Sequence, residues 1–239
     1  MASILDKQTL IDEGKREAFT EELLNTTQAV SVGFLNQHGY NLIVKNTRIK
    51  HDFEQLDYLL RDGKGIEIAC RCRKVDPKAN MNGADFIPFV ISKLIRSERP
   101  FQFFAYGTQE PWLEKGATSL FEQREFLSLD GFQQESDYAE HYAQHVEHDV
   151  LKVIVLAMGM PKQERVAELL KITADSPALI FCGGAVIDFQ AKRFSRAPEI
   201  FQKFGLEWLY RLALEPKRLF RRYVIGIPVF FYHSLVQGK

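Results

Sequence analysis

The sequence contains few cysteines, and they form no recognisable framework. Three are present among 239 residues, at Cys70, Cys72 and Cys182, and none belongs to a Cys-x-x-Cys pair. An odd number without such a pair is typical of free thiols in a reducing cytoplasm. The sequence therefore predicts neither a disulfide-stabilised scaffold nor a zinc site built from cysteine.

Long apolar runs are also absent. The N-terminal residues lack the apolar stretch of a secretory signal, and the longest apolar run, Tyr223 to Tyr232, is interrupted by Gly226 and Pro228. A membrane-spanning helix needs about 20 apolar residues, which is roughly twice the length of this run. We therefore expect the run to touch a membrane surface at most, and not to cross a bilayer.

An excess of one charge is missing overall but present locally. Lys plus Arg and Asp plus Glu both number 31, and 46% of the residues are hydrophobic. This balance argues against a disordered chain and against a uniformly basic nucleic-acid-binding protein. From Arg211 to Lys239, however, six basic residues stand against a single acidic one, Glu215, which gives this segment a net charge of +5. The basic C-terminal segment is the first indication of function.

Short apolar runs followed closely by glycine alternate with amphipathic stretches. The runs cover residues 56–60, 101–106, 153–157 and 178–181, and apolar residues recur at helical spacing within 87–95 and 166–170. Alternating strands and helices favour a parallel sheet covered on both faces. We predict an α/β, Rossmann-like core over residues 1–195, with ligands at the carboxyl ends of the strands, where the glycine turns lie.

The pattern changes beyond residue 195. Residues 197–223 form one nearly continuous helical pattern in which aromatic and basic residues are interleaved, and no further strand is indicated. We predict a helical C-terminal appendage over residues 196–239.

A strand-to-helix turn lies at residues 159–164. Gly159 eases the turn, and Pro161 suits the first turn of a helix, where its missing N–H costs nothing. The free N–H groups of such a helix end can hold a phosphate, and Gln163 could reach a base, a ribose or a sugar hydroxyl. The alternative is an ordinary turn in which Glu164 merely favours the helix N-terminus.

Two further patterns carry candidate chemistry. Asp62 and Gly63 follow a predicted strand, where a carboxylate could act as a general base, although Asp-Gly is also a common turn dipeptide.

His141, His145 and His148 would share one face of a helix and raise the question of a zinc site. Their acidic and polar neighbours favour a solvated helix, so no metal site is expected.

Four segments together resemble the WecG/TagA/CpsF family of bacterial glycosyltransferases. They are DGKG at 62–65, GMPKQE at 159–164, GGAVIDF at 183–189 and the long block RAPEIFQKFGLEWLYRLALEPKRLFRRY at 196–223. The resemblance extends from about residue 36 to residue 223, and the long block is its most specific part.

The resemblance implies an inverting, metal-independent transferase without a cofactor. Such an enzyme moves a sugar from a nucleotide sugar, usually linked to UDP, to a polyprenyl-diphosphate-linked acceptor during synthesis of a cell-surface polysaccharide. It also implies a peripheral protein on the cytoplasmic face of the bacterial inner membrane. In the family the aspartate of the DG motif is the proposed catalytic base, and it falls on Asp62.

The resemblance and the turn at 159–164 together assign binding residues. Contacts to the nucleotide sugar and the acceptor are expected from Asn36, Gly159, Pro161, Gln163, Arg211, Arg218 and Arg221. Contacts to an anionic membrane surface are expected from Lys217, Arg222, Tyr223, Phe230 and Phe231.

The sequence departs from the family at two positions. Many members have threonine where this chain has Phe34, and arginine where it has Asn80. Both positions are thought to lie near substrate, so the donor or acceptor sugar is left open. The chain also lacks any Asp-x-Asp motif, with which many transferases hold a cation.

Three other interpretations stay open at this point. A nicotinamide-dependent oxidoreductase would need a G-x-G-x-x-G turn after its first strand, and none is present. A non-catalytic module could bind a membrane through the basic segment, whose flanking aromatics suit a lipid surface better than RNA, so no nucleic-acid partner is expected. The appendage could also be a docking helix in a homo-oligomer.

Overall fold

The computed structural model describes residues 3–97, 99–198, 200–201 and 205–236, and the side chains of residues 218, 235 and 236 lie outside this description. Within these residues, six strands form one all-parallel sheet in the order β2-β1-β6-β5-β3-β4. The strands are β1 Ala29–Leu35, β2 Tyr58–Arg61, β3 Phe101–Gly107, β4 Phe126–Leu129, β5 Leu151–Ala157 and β6 Ala178–Cys182. The predicted α/β, Rossmann-like fold is confirmed.

The central strands are buried on both faces. Every residue of β5 and β6 is buried, as their continuous apolar sequences require when helices cover both sides of a parallel sheet. The one charged residue among them is Lys152, whose Nζ donates to Ser176 Oγ at 2.7 Å. Lys152 lies near the amino end of β5, away from the carboxyl ends of the strands.

Helices cover the two faces of the sheet. One face packs against α1, α5, α6 and α9, and the other against α2, α3, α4, α7 and α8. The helices are α1 Arg16–Leu24, α2 Gln37–Lys45, α3 Thr47–Glu54, α4 Lys64–Cys72, α5 Gly83–Ile95, α6 Trp112–Leu120, α7 Glu135–His145, α8 Lys162–Thr173 and α9 Val186–Gln190. Two short 3₁₀ turns, Ile4–Lys7 and Glu13–Lys15, precede them.

The C-terminal region is helical but broken, which corrects the prediction of one nearly continuous helix. It contains α10 Glu207–Leu214, α11 Pro216–Phe220, a π-helical turn Arg221–Ile225 and α12 Gly226–Val236. The break between α10 and α11 lies at Glu215, whose backbone leaves the helical region with φ −131° and ψ 58°.

The apolar run begins in the π-helical turn and continues from Gly226 into α12, which packs on the sheet core. Phe230 is fully buried and meets Tyr40 of α2 edge to face at 5.2 Å between ring centroids. Asn41 Nδ2 donates to the carbonyl oxygen of Gly226 at 2.7 Å. Among the helices of the described residues, none combines the length and apolar character needed to cross a membrane.

Candidate active site

A cleft of about 1080 Å³ lies at the carboxyl ends of the strands. Its walls include residues that directly follow β1, β2, β3, β5 and β6, together with residues of α10, the π-helical turn and α12. This is where ligands bind in open parallel sheets. The sheet core and the C-terminal helices therefore share one cleft.

Asp62 lies at this cleft and is held by Asn36. Asn36 caps α2, because its Oδ1 accepts hydrogen bonds from the N–H groups of His38 and Gly39 at 3.0 and 3.1 Å. Its Nδ2 donates to Asp62 Oδ2 at 3.2 Å. The helix cap fixes the amide, and the amide in turn fixes the carboxylate. Two motifs that are 26 residues apart in the sequence meet because β1 and β2 are neighbours.

The environment of Asp62 suits a proton acceptor. Burial raises the pKa of the Asp62 carboxyl above its ordinary value, while the hydrogen bond from Asn36 and the positive charges of Arg222, Arg61 and Arg211 oppose that rise. A carboxylate with a raised pKa takes a proton more readily near neutral pH than an exposed aspartate does.

The C-terminal helices contribute charged groups to the opposite wall of the cleft. Glu207, Arg211 and Arg222 all line it. The guanidinium of Arg211 lies 5.3 Å from the centroid of the Phe189 ring. Burial raises the pKa of Glu207, and the nearby Asp62 raises it further, against the opposing charges of Arg196 and Arg211. Asp62 therefore faces two cations and a carboxyl group from the C-terminal helices.

His38 is a further cleft residue that sequence reasoning missed. Burial and the positive charge of Arg222 lower its pKa to about 4. The imidazole is therefore neutral at physiological pH and can both donate and accept hydrogen bonds. Its position two residues after the candidate Asn36 was the one signal in the sequence.

Gln163 lines the cleft, but its amide is already hydrogen-bonded within the protein. Its Nε2 donates to Glu164 Oε1 at 2.9 Å and to the Cys182 carbonyl oxygen at 3.3 Å, while its Oε1 accepts from the Gly184 N–H at 3.0 Å. In this arrangement Gln163 ties the turn before α8 to the turn after β6. Gly159 lines the cleft with a φ of 82°, whereas Pro161 caps α8 and lies outside the lining.

A polar cluster at the end of β3 was also missed. Thr108 Oγ1 donates to Asp188 Oδ1 at 2.7 Å, and Arg193 Nη1 contacts the same two oxygen atoms at 3.0 and 3.1 Å. All three residues line the cleft. Asp188 belongs to the segment GGAVIDF, so its motif pointed to the site although no role was assigned to it.

The structure divides the C-terminal candidates differently from the prediction. Arg211 lines the cleft, Arg221 is exposed outside it, and the side chain of Arg218 lies outside the described residues. Of the residues expected at a membrane, Lys217 is exposed. The other four, Arg222, Tyr223, Phe230 and Phe231, line the cleft. Of these, Tyr223 and Phe230 are buried. The packing of α12 on α2 accounts for the burial of Phe230.

The three histidines do not share one helix face. The helix α7 ends at His145, so His148 lies beyond it. A hydrogen bond of 2.9 Å joins His141 Nδ1 to the Tyr106 hydroxyl, and His145 Nδ1 lies 2.8 Å from the His141 carbonyl oxygen. Across the described part of the chain, no group of three or more histidine, cysteine, aspartate or glutamate side chains is arranged to hold a metal ion.

Comparison with known protein families gives a match over nearly the whole chain. A family model described as "Glycosyl transferase WecG/TagA/CpsF family" matches residues 4–239. The matched region spans both walls of the cleft, since it includes the sheet core and the C-terminal helices.

Proposed function

Since the chain belongs to the WecG/TagA/CpsF family of glycosyltransferases, we propose that it transfers a sugar from a UDP-linked donor to a polyprenyl-diphosphate-linked acceptor in cell-surface polysaccharide synthesis. The observation that carries the proposal is the position of Asp62. Its carboxyl is held by Asn36 in a cleft of about 1080 Å³ and faces Arg211 and Arg222.

The proposed reaction is a single inverting displacement. Asp62 accepts the proton of the acceptor hydroxyl as that oxygen attacks the anomeric carbon, and the bond from this carbon to the nucleoside diphosphate breaks on the opposite face. The route needs one general base and no covalent sugar intermediate. One positioned carboxylate is therefore sufficient for the proton transfer.

Arginines are proposed to stabilise the leaving group. Negative charge builds up on the nucleoside diphosphate as it leaves, and the sequence contains no Asp-x-Asp motif to hold a cation against it. Planar guanidinium groups bind phosphate oxygens in a bidentate way, and Arg211 and Arg222 bring two of them to the wall opposite Asp62. On this account, transfer proceeds without a divalent cation.

A membrane surface is proposed to bind the exposed part of the C-terminal helices, with the protein peripheral on the cytoplasmic face of the inner membrane. Lys217 and Arg221 are exposed there. Large apolar side chains are exposed in the same region, namely Phe220, Val224, Ile225 and Tyr232. Basic and apolar groups together favour binding to an anionic lipid surface. These residues replace Arg222, Tyr223, Phe230 and Phe231 as the proposed contacts.

The test is a transfer assay with a panel of UDP-sugars and a short-chain polyprenyl-diphosphate-sugar acceptor. Product is scored by the mass of the lipid, with and without EDTA. We expect transfer that survives EDTA and falls about 10²–10⁴-fold in Asp62→Asn, because the amide keeps the shape of the side chain but cannot take the proton.

Asp175→Asn is the matched control. It makes the same chemical change at an exposed aspartate just before the amino end of β6, away from the cleft. Full inhibition by EDTA, reversed by Mg²⁺ or Mn²⁺, would contradict the role of the arginines. Near-normal turnover of Asp62→Asn would remove Asp62 as the base.

A further inference from the structure

Arg61 directly precedes Asp62 and is buried although it is charged. Only 3% of its surface is exposed. Its guanidinium donates to the carbonyl oxygens of residues 77, 78 and 79 at 2.9, 3.0 and 3.1 Å, and to that of Gly63 at 3.3 Å. One side chain thus joins the loop at 77–79 to the turn that carries Asp62. The reaction described above gives this residue no part.

The same loop makes two further hydrogen bonds to the turn that carries Asp62. Asn80 Oδ1 accepts a hydrogen bond from the Gly63 N–H at 2.8 Å, and the Met81 N–H donates to the Arg61 carbonyl oxygen at 3.0 Å. Gly63 itself adopts a φ of 85°, in the region that favours glycine. The peptide groups on both sides of Asp62 are therefore fixed, and Arg61 holds in place the loop that fixes them.

The charge of Arg61 also reaches Asp62. Arg61 lies 3.7 Å from Glu67, but this carboxylate is shared with Lys64 at 2.7 Å and Arg71 at 3.0 Å. The positive charge of Arg61 acts against the effect of burial and lowers the pKa of Asp62. The other groups that act on Asp62 are Asn36, Arg196, Glu207, Arg211 and Arg222.

We infer that Arg61 is the positioning residue of Asp62: it holds the loop at 77–80 and the Gly63 carbonyl so that the Asp62 carboxylate stays at the acceptor hydroxyl. This inference rests on the proposed function, in which Asp62 is the base. Arg61 touches no reacting atom in this role. Lysine would keep the charge but cannot replace the planar group that reaches the loop and Gly63 at once.

Substitutions at Arg61 separate position from charge. In Arg61→Lys the charge is kept, but the hydrogen bonds of the guanidinium to residues 77–79 and Gly63 are lost. We expect kcat to fall about 10–100-fold, because a small misplacement of a catalytic group lowers kcat by such a factor. The KM for the donor should change by less than about threefold, since the C-terminal arginines still bind the diphosphate. Arg61→Met removes both the positive charge and the hydrogen bonds to the loop and Gly63, so the pKa of the Asp62 carboxyl should rise. In Arg61→Lys this pKa should stay near the wild-type value.

Two further variants guard against a purely structural effect. Asn80 is exposed and also lines the cleft, so Asn80→Ala tests its hydrogen bond with Gly63 without disturbing the interior. We expect kcat to fall about 3–10-fold with the KM values unchanged, whereas loss of a substrate contact would raise KM. Lys152→Met removes a buried cation at the other end of the sheet. It should leave kcat and the pKa of Asp62 unchanged, because Lys152 lies away from the cleft.

The experiment measures kcat and KM with the donor and acceptor from the transfer assay, and the pKa of Asp62 by NMR of ¹³C-aspartate, with Asp62→Asn identifying the signal. Wild-type kcat in Arg61→Lys, or an unchanged pKa of Asp62 in Arg61→Met, would overturn the inference. If Arg61→Met does not fold, Arg61→Lys and Asn80→Ala decide it. Full activity of Asp62→Asn would instead refute the proposed function, and the NMR measurement would still test Arg61.

Discussion

The two walls of the cleft are built in different ways. On the core wall, functional groups directly follow strands and are fixed by hydrogen bonds, as Asn36 and Asp62 are at 3.2 Å. On the helical wall, Glu207 and Arg211 come from α10 and Arg222 from the π-helical turn, and they act on Asp62 mainly through charge. The comparison indicates that the core wall sets the geometry of the reaction, while the helical wall sets its electrostatics.

A single helix connects the two walls. The first turn of α2 is capped by Asn36, which holds Asp62, and the same helix carries Tyr40 and Asn41, which hold α12 through Phe230 and Gly226. Movement of the helical wall is thereby tied to the element that positions the base. Substitutions on one wall at a time can therefore test whether the core wall sets the geometry and the helical wall the electrostatics.

Among the substitutions that compare the two walls, the largest expected effect distinguishes two adjacent arginines of the C-terminal helices. Arg222 lines the cleft, whereas Arg221 is exposed outside it. We expect Arg222→Ala to lower turnover on a soluble, short-chain acceptor about 10²–10³-fold, in the range seen when a group that stabilises developing charge is removed. Arg221→Ala is the matched control and should keep wild-type turnover. Equal losses in the two variants would contradict the assignment of Arg222 to the helical wall.

The next effect concerns the protonation of a buried carboxyl that is hydrogen-bonded to Gln163 of the core wall. Glu164 is fully buried and bonded to Gln163, and burial raises its pKa to about 7. Its folded-state pKa thus lies above the unfolded value of 4.5, so the contribution of Glu164 to stability is fully present below pH 4.5 and is lost as the pH rises through 7.

Glu164→Gln removes this ionisation and keeps the size of the side chain. We expect the free energy of unfolding of wild type relative to the variant to fall by about 2 kcal/mol between pH 5 and pH 8. Thermal and urea unfolding at both pH values measure it. A difference between the two proteins that does not change with pH would show that Glu164 does not titrate in this range.

The smallest expected effect belongs to the outer surface of the C-terminal helices. Each basic residue at an anionic leaflet is worth about 1 kcal/mol, so Arg221→Ala should weaken binding to anionic liposomes about fivefold at low salt. Phe220→Ala should weaken binding at all salt concentrations, because its ring is half exposed and apolar burial is not screened. Liposome co-sedimentation at two salt concentrations checks both. Unchanged binding in both variants would place the membrane contact elsewhere.

The core wall was more accessible to sequence reasoning than the helical wall. The strands β5 and β6 have continuous apolar sequences, and the predicted runs at 153–157 and 178–181 match them to within two residues. The strand β1, which lies between β2 and β6, was missed because Ser31 and Gly33 interrupt its apolar pattern. The Ser31 hydroxyl donates to Asp57 Oδ2 at 2.8 Å, so a contact distant in the sequence explains that polar residue.

The helical wall could not be predicted residue by residue. Glu215 breaks the helix, and the turn at Arg221–Ile225 is π-helical, so regular helical spacing does not tell which of Arg221 and Arg222 faces inward. The orientation of Phe230 depends on its contact with Tyr40, which no local pattern contains. Motifs identified the segments that form the cleft, and tertiary packing decided which side chains enter it.

The claim that Asp62 faces cations of the helical wall is tested most directly by the pH dependence of kcat/KM on a soluble acceptor. The base must be ionised, so kcat/KM falls as the pH drops through the pKa of Asp62, which Arg222 lowers. Arg222→Ala should therefore move this acid limb to higher pH, while Arg221→Ala should superimpose on wild type. Because Arg222 also lowers the pKa of His38, the comparison is repeated in His38→Gln, where the same shift should persist. Coincident limbs in wild type and Arg222→Ala would contradict the account.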